Sequence, residues 1–312
     1  MNPFRHISFI FILIFLVGCN SSEEKYDIKK SISKKNNSEI KSQREISNEF
    51  KAYWYNGEAE LTSYQLLQER YGEIREGRAV TIFVTEDFLQ EEQVKTNNAS
   101  ENAISVMKLN KMKTFHTGIY PYSIMTSIFN PIATNDHAIK LTNSIQEWCG
   151  QVYMQLNNRN NFEIQSHSYF EGEADRGVSL SKTWLEDELW NLIRINPEEL
   201  PTGDLSIIPA FEYIRFHHKE IMAHNAFANI KQGDYTTVYT LNYPDLQRQL
   251  KIFFKNRFPY EIEKWEEING AGINDTLKLR TTATKLKRMK TDYWNKNRNE
   301  FAPLRDSLEL NL

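Results

Sequence analysis

The window Gln146-Glu-Trp-Cys-Gly-Gln-Val-Tyr153 concentrates reactive and ligand-contacting side chains. Cys149 next to Glu147, with His116, His137 or His167 supplied from elsewhere, has the residue types of a Cys–His nucleophile pair, in which an imidazole withdraws the thiol proton. A single cysteine in a strand more often packs as a small apolar residue, and Gly150 beside it fits a bulge or a close contact. A structural role is therefore the expectation, and no catalytic residue is assigned. His217, His218 and His224 have the chemistry of metal ligands. Neighbours in a strand point to opposite faces, however, so His217 and His218 are not expected to share one ion. Neither a metal nor a cofactor is expected, because no His-Glu-x-x-His, paired Cys-x-x-Cys, Gly-x-Ser-x-Gly or phosphate loop occurs, and Gly270-Ala-Gly272 precedes a strand rather than a helix.

Two polar rows suit binding better. Glu163, Gln165, His167 and Tyr169 alternate along one run, and Gln151, Tyr153 and Gln155 along another. On neighbouring strands they would form a tyrosine- and amide-rich face, where rings stack and amides hydrogen-bond to a glycan or peptide; the plain alternative is the solvent side of a sheet. The candidate ligand-binding residues are therefore Glu147, Trp148, Tyr153, His167 and Tyr169. Lys278, Arg280, Lys285, Lys287, Arg288 and Lys290 make a basic run, which reads as protection of an edge strand or as a contact with anionic headgroups. A formal net charge of −3 over 312 residues argues against a nucleic-acid binder.

The elements that must position these residues read as extended chain. Val80, Ile82 and Val84 alternate, as do Val152, Met154 and Leu156, then Tyr235, Thr237, Tyr239 and Leu241, and Leu250, Ile252 and Phe254. Residues 259–266 and 275–284 continue the series. Asn56-Gly57, Asn157-Asn158 and Asp175-Arg176-Gly177 mark turns. One helix is predicted over Lys182–Ile195, with Ser181 as N-cap, Pro197 as stop, and a stripe of Trp184, Leu185, Leu189, Leu192 and Ile193. A weaker one is predicted over Tyr293–Leu308. About a dozen sequential strands with so little helix predict a mainly β fold, either a large curved antiparallel sheet or an open, partly closed β-barrel, with one packed helix. A single domain over residues 51–312 is expected, with a division into two sheets near Gly177–Gly203 as the alternative.

The beginning of the chain has a different character. Arg5 precedes eleven nearly uninterrupted apolar residues, Ile7–Val17, too few for the ~20 of a spanning helix but suited to a signal peptide. Leu16-Val17-Gly18-Cys19 resembles the lipobox of bacterial lipoproteins. The resemblance implies a signal peptide over residues 1–18, cleavage after Gly18, diacylglycerol on Cys19 and acylation of the new amino terminus. Several acyl chains anchor stably where one is marginal. Cys149 would then be the one remaining thiol, so no intramolecular disulfide forms. Asn20 in place of the Asp that favours inner-membrane retention, and a Glu23-Glu24 pair that resembles a lipoprotein export signal, imply the outer membrane of a bacterial envelope with the leaflet left open; the plain alternative for the glutamates is a solvated tether. Residues 19–50, rich in Lys, Asn, Ser and Glu, read as a tether whose r.m.s. span is roughly 30 Å.

Four further segments, Tyr71-Gly-Glu-Ile-Arg-Glu-Gly77, residues 117–126 (Thr-Gly-Ile-Tyr-Pro-Tyr-Ser-Ile-Met-Thr), Gln146-Glu-Trp-Cys-Gly150 and Leu200-Pro-Thr-Gly203, resemble a family of bacterial envelope lipoproteins commonly labelled "septum formation inhibitor Maf". True Maf proteins are cytoplasmic nucleotide pyrophosphatases with a Ser-Pro-Arg-Arg signature that is absent here, so the resemblance carries over no catalytic residue. The expectation is a membrane-anchored, non-enzymatic binding or carrier module, with a lipid, glycan or envelope protein as partner. As a carrier it would enclose an apolar-lined pocket with the 182–195 helix near its mouth. The alternatives are an assembly factor acting through its surface and, less favoured, an envelope hydrolase built on Cys149.

Overall fold

The computed structural model describes residues 43–270 and 279–310. The expected signal peptide, Cys19, most of the tether and Lys278 lie outside these described residues. Sixteen strands form one sheet: β1 (Ala59–Arg70), β2 (Glu73–Leu89), β3 (Val94–Lys95), β4 (Ala103–Thr117), β5 (Tyr120–Pro131), β6 (Lys140–Glu147), β7 (Gly150–Asn158), β8 (Phe162–His167), β9 (Arg176–Leu180), β10 (Trp184–Leu185), β11 (Gly203–Ile208), β12 (His224–Gln232), β13 (Thr236–Tyr243), β14 (Arg248–Lys255), β15 (Ile262–Ile268) and β16 (Thr281–Thr291). Neighbours in sequence pair antiparallel almost throughout, with β3 paired only to β2 and β10–β11 parallel. The last strand returns to the first, so β1 lies between β2 and β16. The sheet is open. Among the described residues its edges are β9 and β10, joined in the chain by Ser181–Thr183, so the place where sequence allowed two sheets is where the chain passes from one edge of a single sheet to the other.

Side chains alternate between the two faces, as the strand period requires. Met107, Leu109 and Phe115 of β4, Tyr122, Ile124 and Ile128 of β5, and Met154 and Leu156 of β7 all point into one apolar core. On the opposite face, Ala59, Leu61, Ile82 and Val84 are covered by Leu308 and the residues before it. That covering segment is not the expected helix over Tyr293–Leu308. It is two 3₁₀ turns, Tyr293–Asn295 and Asn299–Phe301, and a single helical turn, Leu304–Ser307, because Pro303 interrupts the run. The chain is already folded within the stretch read as tether. Gln43 bridges to Thr134, the Arg44 guanidinium binds Glu199, and Ser47 caps helix α1 (Asn48–Trp54), which buries Phe50 and Trp54.

The side of the sheet that carries the main core is covered by helix. Helices α2 (Leu189–Ile195) and α3 (Phe211–Phe216) lie within the core, and every residue of both is buried. The expected helix start at Lys182 gives way to β10, since Trp184 and Leu185 pair with Ile207 and Ile208, followed by a 3₁₀ turn at Glu186–Glu188. Instead of presenting one apolar stripe, α2 is surrounded, and its polar residues find partners inside. Arg194 makes two hydrogen bonds to Glu60, at 2.7 and 2.9 Å, and Asn191 donates to the Met107 and Ile128 carbonyls. Glu186 binds Arg248 and the Tyr243 hydroxyl, while Glu188 accepts from the Ala138 and Leu185 N–H groups and pairs with His137. Buried charges persist in a core only when paired and hydrogen-bonded in this way. The apolar carrier pocket expected from sequence, with the helix at its mouth, is occupied by the helix itself.

β16 is an interior strand between β15 and β1, not an edge. Its basic residues are matched: Lys285 binds Glu261 and Glu263 at 2.6 and 2.7 Å, Arg288 binds Glu261 at 2.8 Å, and Lys287 reaches Glu309 at 3.3 Å. The basic run therefore balances local carboxylates rather than shielding an open edge.

Candidate functional site

In an antiparallel meander every second turn falls at the same end of the sheet. The β1–β2 turn (Tyr71-Gly72), the β4–β5 turn (Gly118-Ile119), the β6–β7 turn (Trp148-Cys149) and the β8–β9 loop (Ser168–Asp175) share one end. Tyr71 and Gly72 both have positive φ, +57° and +74°, which is the two-residue hairpin geometry that follows strand twist, and it turns the Tyr71 side chain back towards Arg70. The end of α3 arrives at the same place. Residues from three of these turns, Tyr122 of β5 and the end of α3 line a cleft of about 330 Å³. Three of the four sequence segments that carry the lipoprotein resemblance supply its walls: Tyr71 from the first, Tyr122 from the second, and Glu147, Cys149 and Gly150 from the third.

Aromatic rings and guanidinium groups dominate this cleft. The Arg70 guanidinium lies 4.3 Å from the centre of the Tyr71 ring and 4.2 Å from that of Phe216. It donates to the Phe216 carbonyl at 3.1 Å and to the Tyr71 and Tyr122 hydroxyls at 3.3 and 3.4 Å. Arg215 lies 4.0 Å from the Phe170 ring centre. Its side chain is only 8% exposed, with Glu173 at 3.8 Å. The Nε atoms of both arginines are buried without a hydrogen-bond partner among the described residues. Burial pushes the Tyr71 phenol up, but its hydrogen bond with Tyr122 and the charge of Arg70 outweigh that and lower it.

The opposite wall is acidic but internally satisfied. Glu147 accepts from the Cys149 N–H at 2.7 Å and from the Tyr169 hydroxyl at 3.0 Å. Slight burial raises its carboxyl, and those hydrogen bonds, with Arg215 nearby, hold it below the ordinary carboxylate range. Tyr169 is pushed up to about 12 by burial and by Glu147. Its ring packs on Gly150, where a Cβ would stand 2.4 Å from a ring carbon, so this glycine makes room for Tyr169. Glu173 accepts from the Ser168 hydroxyl at 2.6 Å and pairs with His218.

The sequence-predicted residues therefore separate. Glu147 and Tyr169 meet on one wall of the cleft, and Trp148, 68% exposed, stands outside its lining near Tyr120. Tyr153 and His167 do come together, directly opposite each other on β7 and β8, but on the outer polar face with Gln155 and Gln165. There Tyr153 donates to Gln155 at 2.9 Å and His167 pairs with Asp175 at 3.2 Å. Cys149 is exposed in a turn instead of buried in a strand, and the neighbouring Glu147 raises its thiol, the opposite of an activated nucleophile. His137 is committed to Glu188 and His167 to the outer face, so neither forms the pair considered from sequence. His217 and His218 end α3 rather than occupying a strand. Burial, then Arg248 and Arg70, lowers His217 to about 4. His224 pairs with Asp245 at 2.6 Å, and no group of three or more potential metal ligands occurs among the described residues.

Arg70, Arg215, Phe170 and Phe216 escaped the sequence reading. The signal that would have found them is positional: each lies next to a turn or helix end on the side of the sheet to which Gln146–Gly150 belongs. No protein-family model matches the chain, and no curated protein matches it. Among solved structures, the chain is similar to the crystal structure of a β-barrel-like protein of domain of unknown function DUF1849 from Brucella abortus, with 11% identity, a TM-score of 0.43, and coverage of 75% of this chain and 98% of that one.

Proposed function

We propose that the protein is a lipid-anchored component of a bacterial envelope, of the lipoprotein family its turn segments resemble, and that its folded domain is a non-enzymatic binding module with the turn-end cleft as its ligand site. The observation that carries this reading is the convergence of separate hairpin turns and the end of α3 on one aromatic, arginine-containing cleft. Its volume falls within the range of small-molecule sites. The filled interior redirects the reading from an enclosed apolar carrier to a surface cleft. The raised Cys149 thiol weighs against a cysteine hydrolase.

Cys149 lines the cleft and reports on its occupancy. Its alkylation by a maleimide, located by peptide mapping, is expected to be slower in native envelopes than in purified protein stripped of small molecules. Equal rates in the two preparations would overturn the cleft as a binding site. Metabolic acyl labelling is expected on the wild type and not on Cys19→Ala, which should also leave the membrane fraction. An unlabelled wild type would overturn the anchor.

A further inference from the structure

Both arginines of the cleft keep donors in reserve, while the carboxylates beside them do not. Glu147 uses one oxygen for Cys149 and the other for Tyr169, and Glu173 uses its two for Ser168 and His218, the second of these also lying 3.8 Å from Arg215. Arg70 forms no ion pair with a carboxylate of the described residues, and its Nε, like that of the nine-tenths-buried Arg215, has no acceptor. Those Nε atoms are closed to solvent, so what the cleft offers a ligand is the rest of each guanidinium, and for Arg70 a positive charge that no carboxylate of the described residues neutralises. The rings also dictate how these cations can be used. Tyr71 and Phe216 lie against Arg70, and Phe170 against Arg215, and the N–H groups that Arg70 uses go to neutral acceptors, the Phe216 carbonyl and the Tyr71 and Tyr122 hydroxyls, which an incoming anion can replace. Edge-on guanidinium N–H groups match the spacing of phosphate and carboxylate oxygens.

Resting on the reading of the cleft as the binding site, we propose that its ligand carries an anionic group, phosphate or carboxylate, on an apolar or aromatic body. Arg70 and Arg215 receive the anion. Ile145, Val152, Tyr122 and Phe170 face the body.

The test uses the full acylated chain and protection of Cys149 from maleimide. The probes are phenyl phosphate, benzoate, dihexanoyl phosphatidic acid, inorganic phosphate and phenol. Saturable protection by phenyl phosphate, benzoate or the phosphatidic acid, at concentrations at least tenfold below those needed with phenol, is the expected result. Whichever probe protects at the lowest concentration distinguishes phosphate from carboxylate and an acyl source from an aromatic one. Arg70→Gln, at the accessible end of a hairpin, should weaken that protection at least tenfold with an unchanged melting temperature. Arg215→Lys, which keeps the charge but loses the fork, should weaken it as well. Equal protection by phenol and phenyl phosphate, or wild-type affinity in Arg70→Gln, would overturn the anion assignment and leave the cleft as a binding site. If no probe protects while the envelope preparation still does, the anion assignment alone falls. If neither protects, both readings fall.

Discussion

Glu60 and Arg194 form a decisive internal contact, with side chains 0% and 1% exposed. Replacing Glu60 with Leu leaves the Arg194 guanidinium between the Trp54 and Phe83 rings, at 5.1 and 4.6 Å, with the Pro259 carbonyl as its remaining acceptor. An uncompensated buried charge of this kind costs about 3–5 kcal/mol, a large part of the roughly 5–15 kcal/mol that holds a domain folded. With a urea m-value of about 3 kcal/mol/M, the unfolding midpoint of Glu60→Leu should fall by 1 M or more. The double variant Glu60→Leu/Arg194→Met removes both charges and keeps similar volume, so it should recover most of the loss. Burial raises the Glu60 carboxyl, but the charge and hydrogen bonds of Arg194 more than offset this and lower it from its ordinary 4.5. Stability from a lowered carboxyl is present above the unfolded value and lost as pH falls through the folded one. The gap between wild type and Glu60→Leu should therefore narrow below pH 4.5. A single variant costing less than about 1 kcal/mol, or a double variant no better than the single, would refute this account of the core.

Two other substitutions probe the buried turn before α2 and the sheet. Burial, opposed by Lys111 and the Phe211 N–H, raises Asp187 from 3.8 to about 6. The folded state then holds the proton more tightly, so this contribution is full below 3.8 and lost as pH rises through about 6. Asp187→Asn should gain on the wild type by up to about 3 kcal/mol as pH climbs through that range; a pH-independent difference in urea unfolding would contradict it. A Cβ on Gly77 would stand 2.3 Å from the Thr114 carbonyl oxygen, backbone that cannot swing aside. Gly77→Ala should cost about 1–3 kcal/mol in the same assay, and a neutral result would show that β2 and β4 can separate there.

The sheet was legible because period two is a local property: Val152, Met154 and Leu156 face the core as their alternation predicts, and Gln151, Tyr153 and Gln155 face outward. Helix α2 was legible at its end, where Asn196-Pro197 stops it, but not at its start, because pairing of Trp184 with Ile207 is non-local and overrides helical spacing. The filled interior was hidden for a related reason. Glu186, Asp187, Glu188 and Arg194 lie outside the apolar stripe read from sequence, and their burial follows only from partners as far away as Glu60 and Arg248. Within the site, Glu147 and Tyr169 were accessible through the richness of their own segments. Arg70 and Arg215 were not, since each sits in an ordinary local context and acquires meaning only when four turns and a helix end converge.

The pairing of β1 with β16 also governs how the chain can fold. Ala59 meets Thr291 and Leu67 meets Thr282, so one side of β1 waits for almost the whole polypeptide before its amide groups are paired. Until then the amino-terminal half presents an unpaired strand margin, the kind of surface that recruits other chains. Closing so long a loop is slow. Arrival of residues 281–291 is therefore what ends this risk, since only then is β1 paired along both of its sides.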